Sequence, residues 1–179
     1  HWGNDTARDI LIQDDGQILL IGTVDTGADD DFMVIRLDPD GSLDTTFNGT
    51  GMIRVDYNGG DDSAFSAVIQ DDGKIVICGK AEDTALSQDD YALLRLNADG
   101  TVDTTFGVNG WAIGSYRNDD IFTGVGLLSD GRIAAVGAVD HQGNCDSIVA
   151  LFTANGVLDT TFGANGVTVQ DWGDYDLFY

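Results

Sequence analysis

The sequence predicts an all-β chain built from repeats of a four-stranded antiparallel sheet, and three observations carry that prediction. The first is internal self-similarity, the signature of a stacked array. Leu43-Asp44-Thr45-Thr46-Phe47 returns as Val102-Asp103-Thr104-Thr105-Phe106 and again as Leu158-Asp159-Thr160-Thr161-Phe162. The second is the kind of acid present. All 31 acidic residues except Glu82 are Asp, which favours caps and turns, and Lys74 and Lys80 are the only lysines, so the Glu/Lys surface of a helical chain is missing. The third is the set of 24 glycines, many of them set as turns between apolar runs, against the single proline Pro39.

Each unit carries four strand-like runs. In the first unit they are Thr6 to Gln13, Gln17 to Val24, Asp31 to Asp38 and Met52 to Tyr57. The connections carry turn chemistry: Asp14-Asp15-Gly16, then residues 25–30, then Pro39-Asp40-Gly41, then Asn58-Gly59-Gly60. Asp-Gly suits a tight hairpin because Gly tolerates positive φ and Asp can bond its own backbone. The pair Asp15-Gly16 recurs as Asp72-Gly73 and Asp130-Gly131, and later turn glycines recur at Gly41, Gly100, Gly156 and at Gly51, Gly110, Gly166. Four strands joined in sequence by hairpins make a meander.

The second run of each unit shows how the meanders stack. Ile18-Leu19-Leu20-Ile21 and Ile75-Val76-Ile77-Cys78 do not alternate, so both faces need cover. A meander held between two like sheets meets that need, and this is how blades stack in a β-propeller. The repeated Phe is expected between adjacent blades, where a large aromatic supplies buried area. The expected units are 1–57, 58–115 and 116–170, with 171–179 starting a fourth. Asp171-Trp172-Gly173-Asp174 lines up with His1-Trp2-Gly3-Asn4, and a β-trefoil, which closes after three units, has no place for such a segment. Three blades do not close a ring of four to eight. The expected partners are therefore further blades of the same chain or other copies of it, and a chain opening on His1 reads as part of a longer one.

The net charge of −23 argues against nucleic acid as a partner, since phosphate binding needs a cationic surface, and against anionic membranes. No apolar run is long enough for a transmembrane helix, so no membrane insertion is expected, and nothing in the first residues reads as a signal peptide. Cys78, in an apolar run, is expected in the core, and Cys145 in a polar loop, with no disulfide holding the fold.

Taken together, Asp72 to Gly79 (Asp-Gly-Lys-Ile-Val-Ile-Cys-Gly), Asp90 to Asn97 (Asp-Tyr-Ala-Leu-Leu-Arg-Leu-Asn) and Asp99 to Gly107 (Asp-Gly-Thr-Val-Asp-Thr-Thr-Phe-Gly) resemble the bacterial delta-sixty repeat family over essentially the whole chain. The resemblance implies propeller-like repeats in large bacterial proteins that are secreted or held at the cell surface, with no general activity to carry over. The third unit departs from the pattern: Leu151 stands where Arg36 and Arg95 stand, and Ser147 where Phe32 and Tyr91 stand.

The candidate metal ligands lie in one hairpin of each unit. Asp38, Asp40 and Asp44 alternate around Gly41, with Asn97, Asp99 and Asp103 at the matching places of the second unit and Asp159 in the third. Such oxygens suit calcium, which makes it the candidate cofactor. The spacing resembles the latter part of the calcium loop of integrin-type propeller repeats, with Arg36 in place of its first acid. The other reading is a hairpin whose Asp side chains bond backbone amides. Asp44, Asp103 and Asp159 recur in all three units, which fits a structural cap or an Arg partner as well as a metal ligand.

A second acidic group, Asp29-Asp30-Asp31 with Asp89-Asp90 and Asp146, is expected at the blade end that also holds Asp5, Asp62 and Asp120. Trp2 and Trp172 share one repeat position and are the candidate carbohydrate-stacking residues, with Trp111 beside them; packing between blades is the alternative. For catalysis the chain offers only the terminal His1 and His141, expected in a loop between Asp140 and Gln142, with no hydrolase, metalloprotease or phosphate-loop motif, so no catalytic residue is assigned. The expected function is a non-enzymatic structural or interaction module of an extracellular bacterial protein, presenting acidic hairpin loops from stacked blades. The alternatives are a calcium-dependent adhesion or carbohydrate-binding propeller and a fragment of a polysaccharide-acting hydrolase or lyase.

Overall fold

The computed structural model describes residues 4–141 and 144–171. Among them there is no helix, and twelve strands form three sheets. The first sheet holds β1 (Thr6–Ile12), β2 (Ile18–Asp25), β3 (Asp30–Leu37) and β4 (Met52–Val55). The second holds β5 (Ser63–Ile69), β6 (Ile75–Asp83), β7 (Gln88–Leu96) and β8 (Trp111–Gly114), and the third β9 (Asp120–Leu127), β10 (Ile133–His141), β11 (Asn144–Phe152) and β12 (Val167–Gln170). Within each sheet every strand pairs antiparallel with its sequence neighbour, so each is a meander blade, as the turn chemistry predicts. Beyond Asp171, the expected start of a fourth unit lies outside the described residues, as do Trp2 and Trp172.

The core lies between blades rather than within one. Leu19, Ile21, Phe32 and Val34 of the first blade share one apolar cluster with Ile77, Ala92 and Leu94 of the second. On its other side the second blade offers Val76, Cys78, Tyr91 and Leu93 to Phe122, Ala135, Ile148, Ala150 and Phe152 of the third. This explains the lack of alternation in Ile75-Val76-Ile77-Cys78: β6 is covered on both faces and all four side chains are fully buried. In β2 one face is open, so Leu20 is half-exposed between buried Leu19 and Ile21. Burying a Leu or Ile side chain contributes about 1.5–3 kcal/mol, which makes the blade interfaces the main apolar stabilisation.

Aromatic rings bridge the blades. Trp111 lies edge-on to Phe32, with centroids 5.1 Å apart, and to Tyr57 at 5.5 Å. Tyr91 stacks on Phe122 of the next blade at 4.5 Å.

Each blade's first strand is bulged against a glycine of the second. The register shifts between Ala7 and Asp9 and between Ala64 and Ser66. A Cβ on Gly22, Gly79 or Gly137 would stand 1.9 Å from the carbonyl oxygen of Thr6, Ser63 or Ile121 respectively, so only glycine fits. The bulge re-aims the following side chain. Asp9 then reaches the next blade, where its Oδ2 accepts from the Ser66 hydroxyl and the Ala67 amide, each at 2.9 Å.

Two local placements differ from expectation. His141 and Cys145 fall in β10 and β11 rather than in a loop, because the β10–β11 ladder runs on to the pair His141 and Asn144. Cys78 is buried as expected, and that burial pushes its thiol up to about 12.

Candidate functional site

Strand direction alternates along a meander, so each blade has two ends with different chemistry. One end carries the Leu-Asp-Thr-Thr-Phe segments. Arg36, near the end of β3, is almost fully buried, and its Nε donates to Asp44 Oδ2 at 2.7 Å. Its Nη1 donates to the Ala98 carbonyl of the next blade at 2.8 Å, and its guanidinium lies 4.7 Å from the centre of the Phe47 ring. Asp44 Oδ1 accepts from the Thr46 amide at 2.9 Å and hydroxyl at 2.6 Å, while Gln17 Nε2 donates to Oδ2 at 2.8 Å. Phe47 is fully buried and fills the space beside Gly100 of the second blade, where a Cβ would stand 2.8 Å from the ring and φ is +86°.

The second unit repeats this clasp. Arg95 Nε donates to Asp103 Oδ2 at 2.9 Å, Nη1 to the Ala154 carbonyl of the third blade at 2.6 Å, and the guanidinium lies 4.6 Å from the Phe106 centroid. Phe106 fills the space beside Gly156, and Lys74 Nζ takes the place of the Gln17 amide, 3.4 Å from Asp103 Oδ2. In the third unit Leu151 offers no guanidinium. Asp159 pairs instead with Arg132 Nη1 at 3.1 Å, from the repeat position of Gln17 and Lys74, and Phe162 is only half-buried.

The predicted metal ligands therefore divide. Asp44, Asp103 and Asp159 are the acids of the clasp. Asp40 Oδ1 accepts from the Ser42 amide and hydroxyl at 2.9 and 2.6 Å, and Asp99 Oδ1 from those of Thr101 at 3.0 and 2.7 Å. Asn97 Nδ2 donates to Thr101 Oγ1 at 3.0 Å, and the Asp38 amide donates to the Ser42 carbonyl at 2.8 Å. Among the described residues these side chains do not converge as a group of three acids. Such a group forms at the opposite end of the first blade, where one oxygen each of Asp29, Asp31 and Asp56 lie within 4.8 Å of one another.

That opposite end is the acidic one. Asp31, Asp62, Asp120 and Asp146 are all buried there. Asp62 ties the blades together: its amide donates to the Asp30 carbonyl at 2.7 Å, and its carboxylate accepts from the Tyr57 amide at 2.5 Å and the Glu82 amide at 3.3 Å. Lys80 Nζ pairs with Asp89 at 2.7 Å, and Arg54 Nη1 with Asp31 at 3.1 Å. The sequence grouped Asp29 and Asp31 but missed Asp56; the signal was the recurrence of the Asp31/Asp56 pair as Asp146 and Asp171.

The two ends titrate in opposite senses. Burial raises Asp62 from its ordinary 3.8 to about 7, against the two amide hydrogen bonds. Burial likewise raises Asp31 and Asp120. At the clasp, burial pushes Asp103 up, but hydrogen bonds from the Thr105 hydroxyl and amide and the charge of Arg95 outweigh it, leaving the carboxylate at about 2. The folded protein thus holds a proton on Asp62 that the unfolded chain has lost, and stability falls as pH rises from about 4 to about 7. Asp103 acts in reverse, its contribution vanishing as pH drops from about 4 to about 2. Urea unfolding midpoints measured against pH are expected to peak at about pH 4, with Asp62→Asn flattening the neutral limb. A midpoint that climbs steadily to pH 8 would contradict this assignment.

No curated protein matches the chain. A family model described as a domain of unknown function (DUF5122) beta-propeller matches residues 13–47, 70–106 and 128–162. Each match runs from beside an Asp-Gly turn to a clasp phenylalanine, and together they cover more than half of the chain. The chain belongs to this beta-propeller repeat family.

Proposed function

We propose that the protein is a non-enzymatic structural module whose two outer blade faces each receive another blade of the same repeat, with the acidic hairpins displayed at one end of the array. The observation that carries this reading is that each open face presents one unfilled half of the Phe–Gly packing pair that joins the blades. Phe47 and Phe106 are fully buried beside Gly100 and Gly156 of the following blade, whereas Phe162 is half-exposed. At the other face, Gly41 occupies the repeat position of Gly100 and Gly156, and a Cβ built on it would meet open space. Leu20, Met33 and Ile35 are half-exposed there, while their counterparts Ile77, Ala92 and Leu94 are fully buried against the first blade. A ring of four to eight blades would cover both faces, with blades drawn from further repeats or from a second copy.

The resemblance to the delta-sixty repeats supports placing the module in a secreted or surface-held bacterial protein. The repeat array is testable by extension. Replacing residues 171–179 with a further copy of 58–115 is expected to raise the melting temperature, because each stacked repeat adds a nearest-neighbour interface. In the extended chain Phe162→Ala should become as damaging as a buried Phe truncation, about 3–5 kcal/mol. An unchanged melting temperature together with a neutral Phe162→Ala would overturn the reading.

A further inference from the structure

We propose that Asp29, Asp31 and Asp56 form a divalent-cation site in the first blade, with chemistry suited to calcium. The inference goes beyond the module reading and does not depend on it. Asp29 comes from the β2–β3 hairpin, Asp31 from the start of β3, and Asp56 from the residue after β4. The β3–β4 ladder, which pairs Phe32 with Val55, brings the last two together. With oxygens within 4.8 Å of one another, a centrally placed ion would sit no more than about 2.8 Å from each, and a few tenths of an ångström of closure reaches the calcium–oxygen contact.

The second observation is the state of Asp31. Its side chain is 1% exposed and neither oxygen accepts a hydrogen bond. Among the described residues its one ion pair is with Arg54, whose Nη1 stands 3.1 Å from Oδ2 on a side chain that is 53% exposed, and Oδ1 accepts no hydrogen bond. A buried carboxylate that accepts no hydrogen bond and is paired with a single, half-exposed arginine is costly, and a cation would satisfy it. The two other acids are already oriented. Asp29 Oδ1 accepts from the Thr26 hydroxyl, and Asp56 Oδ1 accepts from the Gly59 amide at 2.7 Å, so each side chain is held through one of its oxygens.

The site belongs to this blade alone among the first two units. The second unit has Gln88, Asp90 and Ser115 at the three places, and Ile113 in place of Arg54. Three carboxylates facing one exposed arginine carry a net negative charge that a divalent ion would neutralise. Oxygen-only ligands select a hard cation, and a flexible set with room for water suits calcium better than magnesium.

The test is calorimetric titration of the chelator-treated full chain with calcium chloride in about 0.15 M salt, which screens diffuse binding to the acidic surface. One ion per chain is expected, weakened about tenfold or more by Asp56→Asn and by Asp31→Asn, and unaffected by Asp40→Ala. Arg54→Ala is expected to tighten binding severalfold, because it removes the competing cation. Asp56 is exposed, so Asp56→Asn keeps the test decisive even if Asp31→Asn does not fold. Absence of saturable binding up to roughly 5 mM calcium would overturn the proposal. So would binding that survives Asp56→Asn or weakens in Arg54→Ala.

Discussion

Arg95→Leu is expected to lower the free energy of unfolding by about 3–5 kcal/mol, the usual cost of breaking a buried ion pair by removing one partner. Arg95 and Asp103 are both nearly inaccessible to solvent, and the guanidinium also donates to the Ala154 carbonyl of the third blade and lies against Phe106. Its loss leaves Lys74 as the one cation beside the Asp103 carboxylate among the described residues and removes a link between blades in one change. The third unit supplies the compensation. There Leu151 stands at the arginine position and Arg132, the residue before β10, reaches Asp159 at 3.1 Å. Lys74 occupies the Arg132 position in the second unit, already 3.4 Å from Asp103. The double variant Lys74→Arg/Arg95→Leu, which copies the third unit, is expected to recover about 1–2 kcal/mol of the loss in urea unfolding. Equal stabilities of the single and double variants would show that the third unit is held in some other way.

Phe106→Ala is expected to cost about 3–5 kcal/mol, while Phe162→Ala in the same chain costs less than about 1 kcal/mol. The two residues occupy one repeat position and have the same flanking Asp-Thr-Thr sequence. They differ in what covers them. Phe106 fills a fully buried space between Arg95 and Gly156, a glycine at φ +76° whose missing Cβ leaves room for the ring. Phe162 remains half-exposed. Alanine at position 106 leaves a cavity that the rigid sheets on either side cannot close, whereas at 162 solvent already reaches part of the ring. Equal effects at the two positions would mean that Phe162 is covered in solution, and light-scattering mass would then show whether a second copy covers it.

Turns and repeat were legible in the sequence because both are local. The strands of the first unit end within two residues of their predicted ends, since the Asp-Gly turns that bound them act over three or four residues. The unbroken apolar run of Ile75-Val76-Ile77-Cys78 announced a strand covered on both faces for the same reason: burial writes directly into residue type. The roles of the acids were not legible in that way. Asp40 and Asp44 sit four residues apart in one hairpin and read alike, yet one closes an exposed turn and the other neutralises a buried arginine. Asp9 shows nothing in its own neighbourhood, and only the bulge at Ala7 and Asp9 aims it at the next blade.

What the sequence by itself determined, then, is the blade: four short strands, their turns, and apolar faces that must be stacked. Hairpin hydrogen bonds and side-chain alternation are set by residues a few positions apart, so a single sequence contains them. What only the tertiary structure decided is which carboxylates meet. Asp31 and Asp56 lie 25 positions apart and come together through the β3–β4 ladder, and the Arg36 clasp closes on a carbonyl 62 residues away in another blade. Those encounters depend on register, on the bulges and on the angle at which one sheet lies on the next, and these are fixed by packing between blades rather than by the order of residues within one.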